Sequence, residues 1–244
     1  MAHLTDEEVD VLVDGVDDVV LRPHLDTLPE PERRAARRAA ERSLTARGWL
    51  LPDQGTPRGG RDATMSEARL SGPTMSLADS LASLLQVRRG APEVVVIHRW
   101  VGETSSTRYL FVLAPVIVCE DLSTSGVHTL SVAETAERGS LVHEFLVPPD
   151  ARPSAPGEPA RRLPAGTGAT DLLAALGHPV VLAEAVTLRA GDSDAPQPSR
   201  RAREGGVIVA LGPGGCYLLE QVEPPAWEIH PTSPQGAVDR VAAS

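Results

Sequence analysis

The chain has no lysine and no asparagine, and its 23 cationic side chains are all arginine. A GC-rich coding bias is sufficient to produce this. The absence nevertheless excludes chemistry: without lysine there is no P-loop lysine, Schiff-base lysine, kinase strand lysine or Ser-x-x-Lys nucleophile. An excess of positive charge is missing too. A net charge of -10 argues against a nucleic-acid backbone as the main partner, because that affinity comes chiefly from neutralising phosphates. No apolar run approaches the roughly 20 residues of a spanning helix, and residues 1–18 are acidic rather than a basic signal sequence. We therefore expect no membrane insertion and a cytoplasmic location. Cysteine is scarce, and Cys119 and Cys216 sit within apolar strand patterns in opposite halves. They read as buried small hydrophobes in a reducing compartment, not as a disulfide framework.

What is present is a pattern that occurs twice. A Leu-rich helical stretch, 76–88, precedes apolar runs at 93–101, 107–114, 116–122 and 127–132 and a second helical stretch at 135–146. The order then recurs: a helix at 170–176, runs at 179–188, 206–211, 216–222 and 226–230, and a closing helix at 234–243. Neither unit alone covers both faces of its strands, so the repeat predicts an α+β fold of two half-sheets related by a pseudo-two-fold. The expected organisation is 1–150, N-terminal helices plus the first unit, and 151–244, linker plus the second, in one compact domain.

Ahead of the repeat, Thr5 and Glu8 have capping-box spacing, and Val9, Leu12, Val13 and Val16 follow at one helical face. A second helix is expected over 31–47, with Pro31 in its first turn and Gly48 as the left-handed residue past its end. Its arginines, Arg33 to Arg42, could serve as a nucleic-acid patch, but the neighbouring helix carries Asp6, Glu7, Glu8, Asp10, Asp14, Asp17 and Asp18. This favours intramolecular charge complementarity over DNA contact. Stretches 52–74, 148–168 and 190–205 read as mobile loops. Gly212-Pro213-Gly214 suits a type II turn, and Pro115 marks a bulge, an edge position or a tight corner.

Candidate chemistry is thin. The seven histidines form no His-Glu-x-x-His, and His143-Glu144 is followed at the ligating position by Val147; neither a metal nor a cofactor is expected. Cys216, after a glycine turn with His128 or His230 within reach across strands, is the least implausible nucleophile, and core cysteine is the stronger reading. Glu120, Asp121, Glu184, Glu220 and Glu223 alternate with apolar residues, as solvent-facing strand positions do. Gly166-Thr167-Gly168 lacks the strand that a phosphate loop requires.

Several segments taken together resemble the EspG family, the cytosolic chaperones of type VII (ESX) secretion in actinobacteria. They are Leu44-Thr45-Ala46-Arg47-Gly48-Trp49-Leu50, the Leu-rich helix around 77–85, the run 109–120 followed by Gly126-Val127-His128-Thr129-Leu130, and Pro225-Ala226-Trp227-Glu228-Ile229-His230-Pro231-Thr232-Ser233-Pro234. The resemblance implies a quasi-two-fold α+β fold with a central antiparallel sheet. It also implies a non-catalytic role, shielding the hydrophobic tip of a secreted PPE-like or WXG100-like client. The runner-up is a transcriptional regulator with an N-terminal winged helix and a C-terminal sensor. For a client surface, the hairpin carrying Trp100 and Tyr109 beside the polar turn with Glu103 and Arg108 offers aromatic anchors next to charge.

Overall fold

The computed structural model describes residues 1–13, 19–50, 77–164, 166–190, 201–223 and 226–243. In chain order they form β1 (Ala2–Thr5), α1 (Asp6–Val13), α2 (Glu30–Ala46), α3 (Leu77–Gly90), β2 (Glu93–Val101), β3 (Thr104–Leu113), β4 (Val116–Ser123), β5 (Val127–Glu134) and α4 (Arg138–Leu146). The second unit follows as β6 (Arg161–Leu163), α5 (Ala169–Ala175), β7 (Val181–Ala190), β8 (Arg201–Gly212), β9 (Gly215–Glu223), β10 (Ala226–Thr232) and α6 (Pro234–Ala243).

The strands make one antiparallel sheet in the order β1-β5-β4-β3-β2-β7-β8-β9-β10-β6. β2 and β7 are equivalent strands of the two units, and they pair along the middle with Ile97 opposite Ala185. An antiparallel pair of equivalent strands is what a two-fold axis through the sheet leaves unchanged. From that seam each half runs outward hairpin by hairpin to a short edge strand, β1 on one side and β6 on the other.

Three apolar clusters show how alternation serves two covered faces. On one face Val95, Ile97, Leu110, Ala183, Val209 and Cys216 pack under α4 and α6. On the opposite face of the first half, Val94, Tyr109, Phe111, Val118 and Leu130 pack under α1, α2 and α3 through Val9, Val13, Leu44, Leu81 and Leu85. In the second half that face carries a smaller cluster around Ala210, Tyr217, Leu219 and Ile229 against α5.

Local signals are realised where side chains could dictate them. The capping box forms: Glu8 N–H donates to Thr5 Oγ1 at 3.4 Å, and Thr5 N–H to Glu8 Oε2 at 3.2 Å. Gly48 follows α2 with φ 69, and Trp49 N–H closes the end on Leu44 O at 2.9 Å. Pro115 occupies a two-residue corner between β3 and β4, and its peptide with Ala114 is cis.

Other expectations are corrected. The β8–β9 turn lies at Pro213-Gly214 as expected, but the positive φ belongs to Gly215 and not to Gly214, so it is no type II turn. Gly214 is needed for closeness: a Cβ there would stand 2.5 Å from Gly177 O. The stretch 148–168 is not a free loop. Arg152 N–H donates to Gly212 O and Ser154 N–H to Thr232 O, and β6 then pairs with β10. The expected loop 190–205 is shortened from both sides, since β7 runs to Ala190 and β8 starts at Arg201. The loop 52–74 and residues 191–200 lie outside the described residues.

Candidate functional site

The β2–β3 hairpin turns at Val101, Gly102 and Glu103, with Gly102 at φ 59. Odd residues of β2 and even residues of β3 face α4; the others face α1–α3. This division decides which of the four expected contact residues can meet a partner.

Trp100 and Glu103 are exposed, whereas Arg108 and Tyr109 are not. Tyr109 is 0% exposed, is stacked 6.2 Å from Phe111, and accepts a hydrogen bond from Leu21 N–H at 3.1 Å. It is a core residue that ties down the chain after α1 and is not on the surface. Arg108 is 6% exposed. Its Nε and Nη2 donate to the two carboxylate oxygens of Asp121 at 2.6 and 2.7 Å, and Nη1 donates to Leu141 O at 2.6 Å. Burial disfavours its charge, but the Asp121 carboxylate more than reverses this and holds its pKa above the ordinary value.

Arg99 does parallel work. It donates to Phe145 O and, at 2.9 Å, to Ser106 Oγ, with its guanidinium 4.2 Å from the centre of the Phe145 ring. Burial and then repulsion from Arg108 lower its pKa. Arg99 thus caps a carbonyl in the last turn of α4, where the helix dipole favours positive charge, and Arg108 reaches a carbonyl in the middle of the same helix. Beside them opens a depression of about 280 Å³ with both polar and apolar lining. Capping and ion pairing account for its arginines.

Beside the exposed polar turn, this end of the sheet also exposes apolar side chains. Trp100 is 39% and Val101 37% exposed, opposite Leu182 and Val181 of β7. Val180, leading into β7, and Leu173, on α5, are exposed to a similar degree. The Trp100 ring stands edge-on to His98, with centroids 4.3 Å apart at 75°. His98 is held by Thr107 Oγ1 at 2.7 Å, and burial lowers its pKa against the pull of Glu184. A neutral, fixed imidazole therefore supports the tryptophan.

The remaining candidates resolve into scaffold roles. Cys216 is buried and its thiol donates to Arg152 O at 3.0 Å; burial raises its pKa. Its strand neighbours are Leu211 and Thr232, so neither His128 nor His230 faces it as a base. His143 and Glu144 are exposed on α4. Arg37 donates to Asp10 at 3.0 Å and Arg47 pairs with Glu8, so the acidic and basic helices do complement each other. The acidic side of that interface is buried rather than solvated. Glu120, expected at a solvent-facing position, is 0% exposed on the face under α1–α3, beside His128 at 0%. Both faces of β4 are covered, so its alternation separates two interiors rather than inside from outside.

No protein-family profile matches the chain, and no curated protein matches it. Among solved structures, the fold matches that of the Mycobacterium tuberculosis type VII secretion system chaperone EspG5, solved in complex with a PE25-PPE41 dimer. The TM-score is 0.57, covering 99% of this chain and 94% of that one, at 13% identity. The architecture is therefore the EspG-like α+β fold, over nearly the whole length of both chains.

Proposed function

We propose that this chain is an EspG-like chaperone or adaptor for a secreted client of a type VII system, acting in the cytoplasm without a catalytic step. The observation that carries the proposal is the combination of that fold with an exposed aromatic and aliphatic rim, Trp100, Val101 and Val180, on a rigid sheet end. The client that suits such a rim is helical with an apolar tip, PPE-like or WXG100-like, because the apolar tip is what would otherwise self-associate. Trp100 supplies the buried anchor of the contact and Glu103 its polar border. Arg108 and Tyr109 hold the hairpin from its two faces and do not touch the client.

Co-expression with PPE-like or WXG100-like proteins tests this. We expect a stable co-eluting complex, weakened about tenfold or more by Trp100→Asp combined with Glu103→Arg, while thermal stability changes little. A complex indifferent to that double change would place the contact elsewhere. Failure of every such client to co-elute would reject the function itself.

A further inference from the structure

α1 buries three carboxylates beside Val9 and Val13. Asp6, Glu8 and Asp10 are 1%, 5% and 7% exposed, and each meets a positive or protonatable group from another part of the chain. Asp10 takes Arg22 and Arg37. Glu8 takes Arg47 and, at 2.8 Å, the Ser43 hydroxyl. Asp6 takes His128 from β5 at 2.8 Å, while its other oxygen accepts His24 N–H at 2.7 Å and Leu25 N–H at 3.1 Å. A Cβ on Gly126 would stand 3.0 Å from this carboxylate, so the β4–β5 turn is shaped around it. β1, α1 and α2 are thus joined to the rest of the fold by charge as well as by the apolar contacts of Leu4, Val9 and Val13.

His128 is the sensitive member. Nδ1 lies 2.6 Å from Glu120 Oε1 and Nε2 lies 2.8 Å from Asp6 Oδ1. Arg88 of α3, its side chain 2% exposed, brings Nε to 3.4 Å from Glu120 Oε2. The groups facing the imidazole are thus Asp6 from α1, Glu120 from β4 and, behind Glu120, Arg88 from α3. Its register neighbours, Leu4 on β1 and Leu122 on β4, carry no charge. Both carboxylates have an N–H to accept only while His128 holds both ring protons. A neutral imidazole has one N–H to give, so one carboxylate would face a lone pair, and a buried negative charge would remain uncompensated.

We propose that this cluster is a proton-dependent latch: the β1–α1 segment stays docked on the sheet while the His128–Asp6–Glu120 site holds its shared proton, and undocks locally when that proton is lost. His128 is the natural seat for such a switch because its ordinary titration lies near neutrality, unlike that of either carboxylate. The same geometry raises its pKa, the two carboxylates outweighing burial, so the docked state survives above the pH at which a free histidine loses its proton.

Hydrogen–deuterium exchange on the whole chain from pH 6 to pH 9, corrected for intrinsic rates, tests the latch directly. Exchange within residues 2–13 should accelerate about tenfold per pH unit between about 6.5 and the raised titration point of His128. β2, β3, β7 and β8 should keep their protection. Glu120→Gln should flatten this dependence, because a carboxamide can donate to Nδ1 and leave a neutral His128 to donate to Asp6. Uniform protection of residues 2–13 across the range would overturn the proposal, as would acceleration shared equally by the whole sheet. The wild-type measurement decides the matter even if the variant does not fold.

Discussion

Arg108 shows how a residue chosen for an exposed contact becomes a structural one. Its planar fork fits the Asp121 carboxylate with two bonds, and its third group donates to Leu141 O on α4. Asp121 is 37% exposed at its side chain and Arg108 only 8%, so the two deletions differ. Asp121→Ala strands a buried guanidinium and should cost about 3 kcal/mol in urea unfolding. Arg108→Ala leaves a carboxylate that water can reach, and should cost less. Equal losses would show that the arginine's packing on Phe145 outweighs its charge. Cys119 gives a second expectation at this scale. Burial, against the pull of Arg108, pushes its thiol up to about 12, so native protein at pH 8 should react with a thiol reagent far more slowly than unfolded protein. Fast labelling of native Cys119 would mean that β4 opens readily.

At the scale of elements, alternation located the long strands and missed the edges. β2 was legible from end to end because Val94, Val95, Val96 and Ile97 leave little else to form, and α6 because Ser233-Pro234 opens it cleanly. β1 and β6 are too short to show a period; each is defined by backbone bonds to its neighbour, to which side-chain patterns are blind. Exposure at the proposed contact was half legible for a related reason. An aromatic beside a polar turn signalled Trp100. Along β3, however, Thr107, Arg108, Tyr109, Leu110 and Phe111 are all buried, since both faces of the sheet are covered there. Alternation then carries no information about exposure, and the buried partnership of Asp6, Glu120 and His128, remote in sequence, left no local trace. Gly126, at φ 71 against Asp6, is the element-scale test. Gly126→Ala should lower stability by more than about 1 kcal/mol and loosen β1 and α1 first, as read by their amide exchange.

For the whole molecule, the same cluster sets a stability optimum in pH. Burial works to raise the pKa of Asp6, but His128 and the backbone N–H groups of Leu25 and His24 prevail and lower it. Its contribution is present above its ordinary value of 3.8 and is lost as pH falls through its depressed one. His128 has the opposite sign: its contribution is full below 6.5 and is lost as pH rises through its raised value. Melting temperature should therefore be highest between these limits and decline on both sides, with the alkaline decline absent in Glu120→Gln.

The two-fold architecture places a paired strand, β2 with β7, at the centre and leaves an apolar rim at one end of that seam. The central claim is that this rim shields an apolar client surface. Light scattering of a PPE-like or WXG100-like client, alone and with one equivalent of this chain, tests it most directly. The client should aggregate alone, wild-type protein should suppress the scattering in a one-to-one complex, and Trp100→Asp protein should not. Suppression that is equal with Trp100→Asp would contradict the proposed surface, and client aggregation unchanged by wild-type protein would contradict the chaperone function.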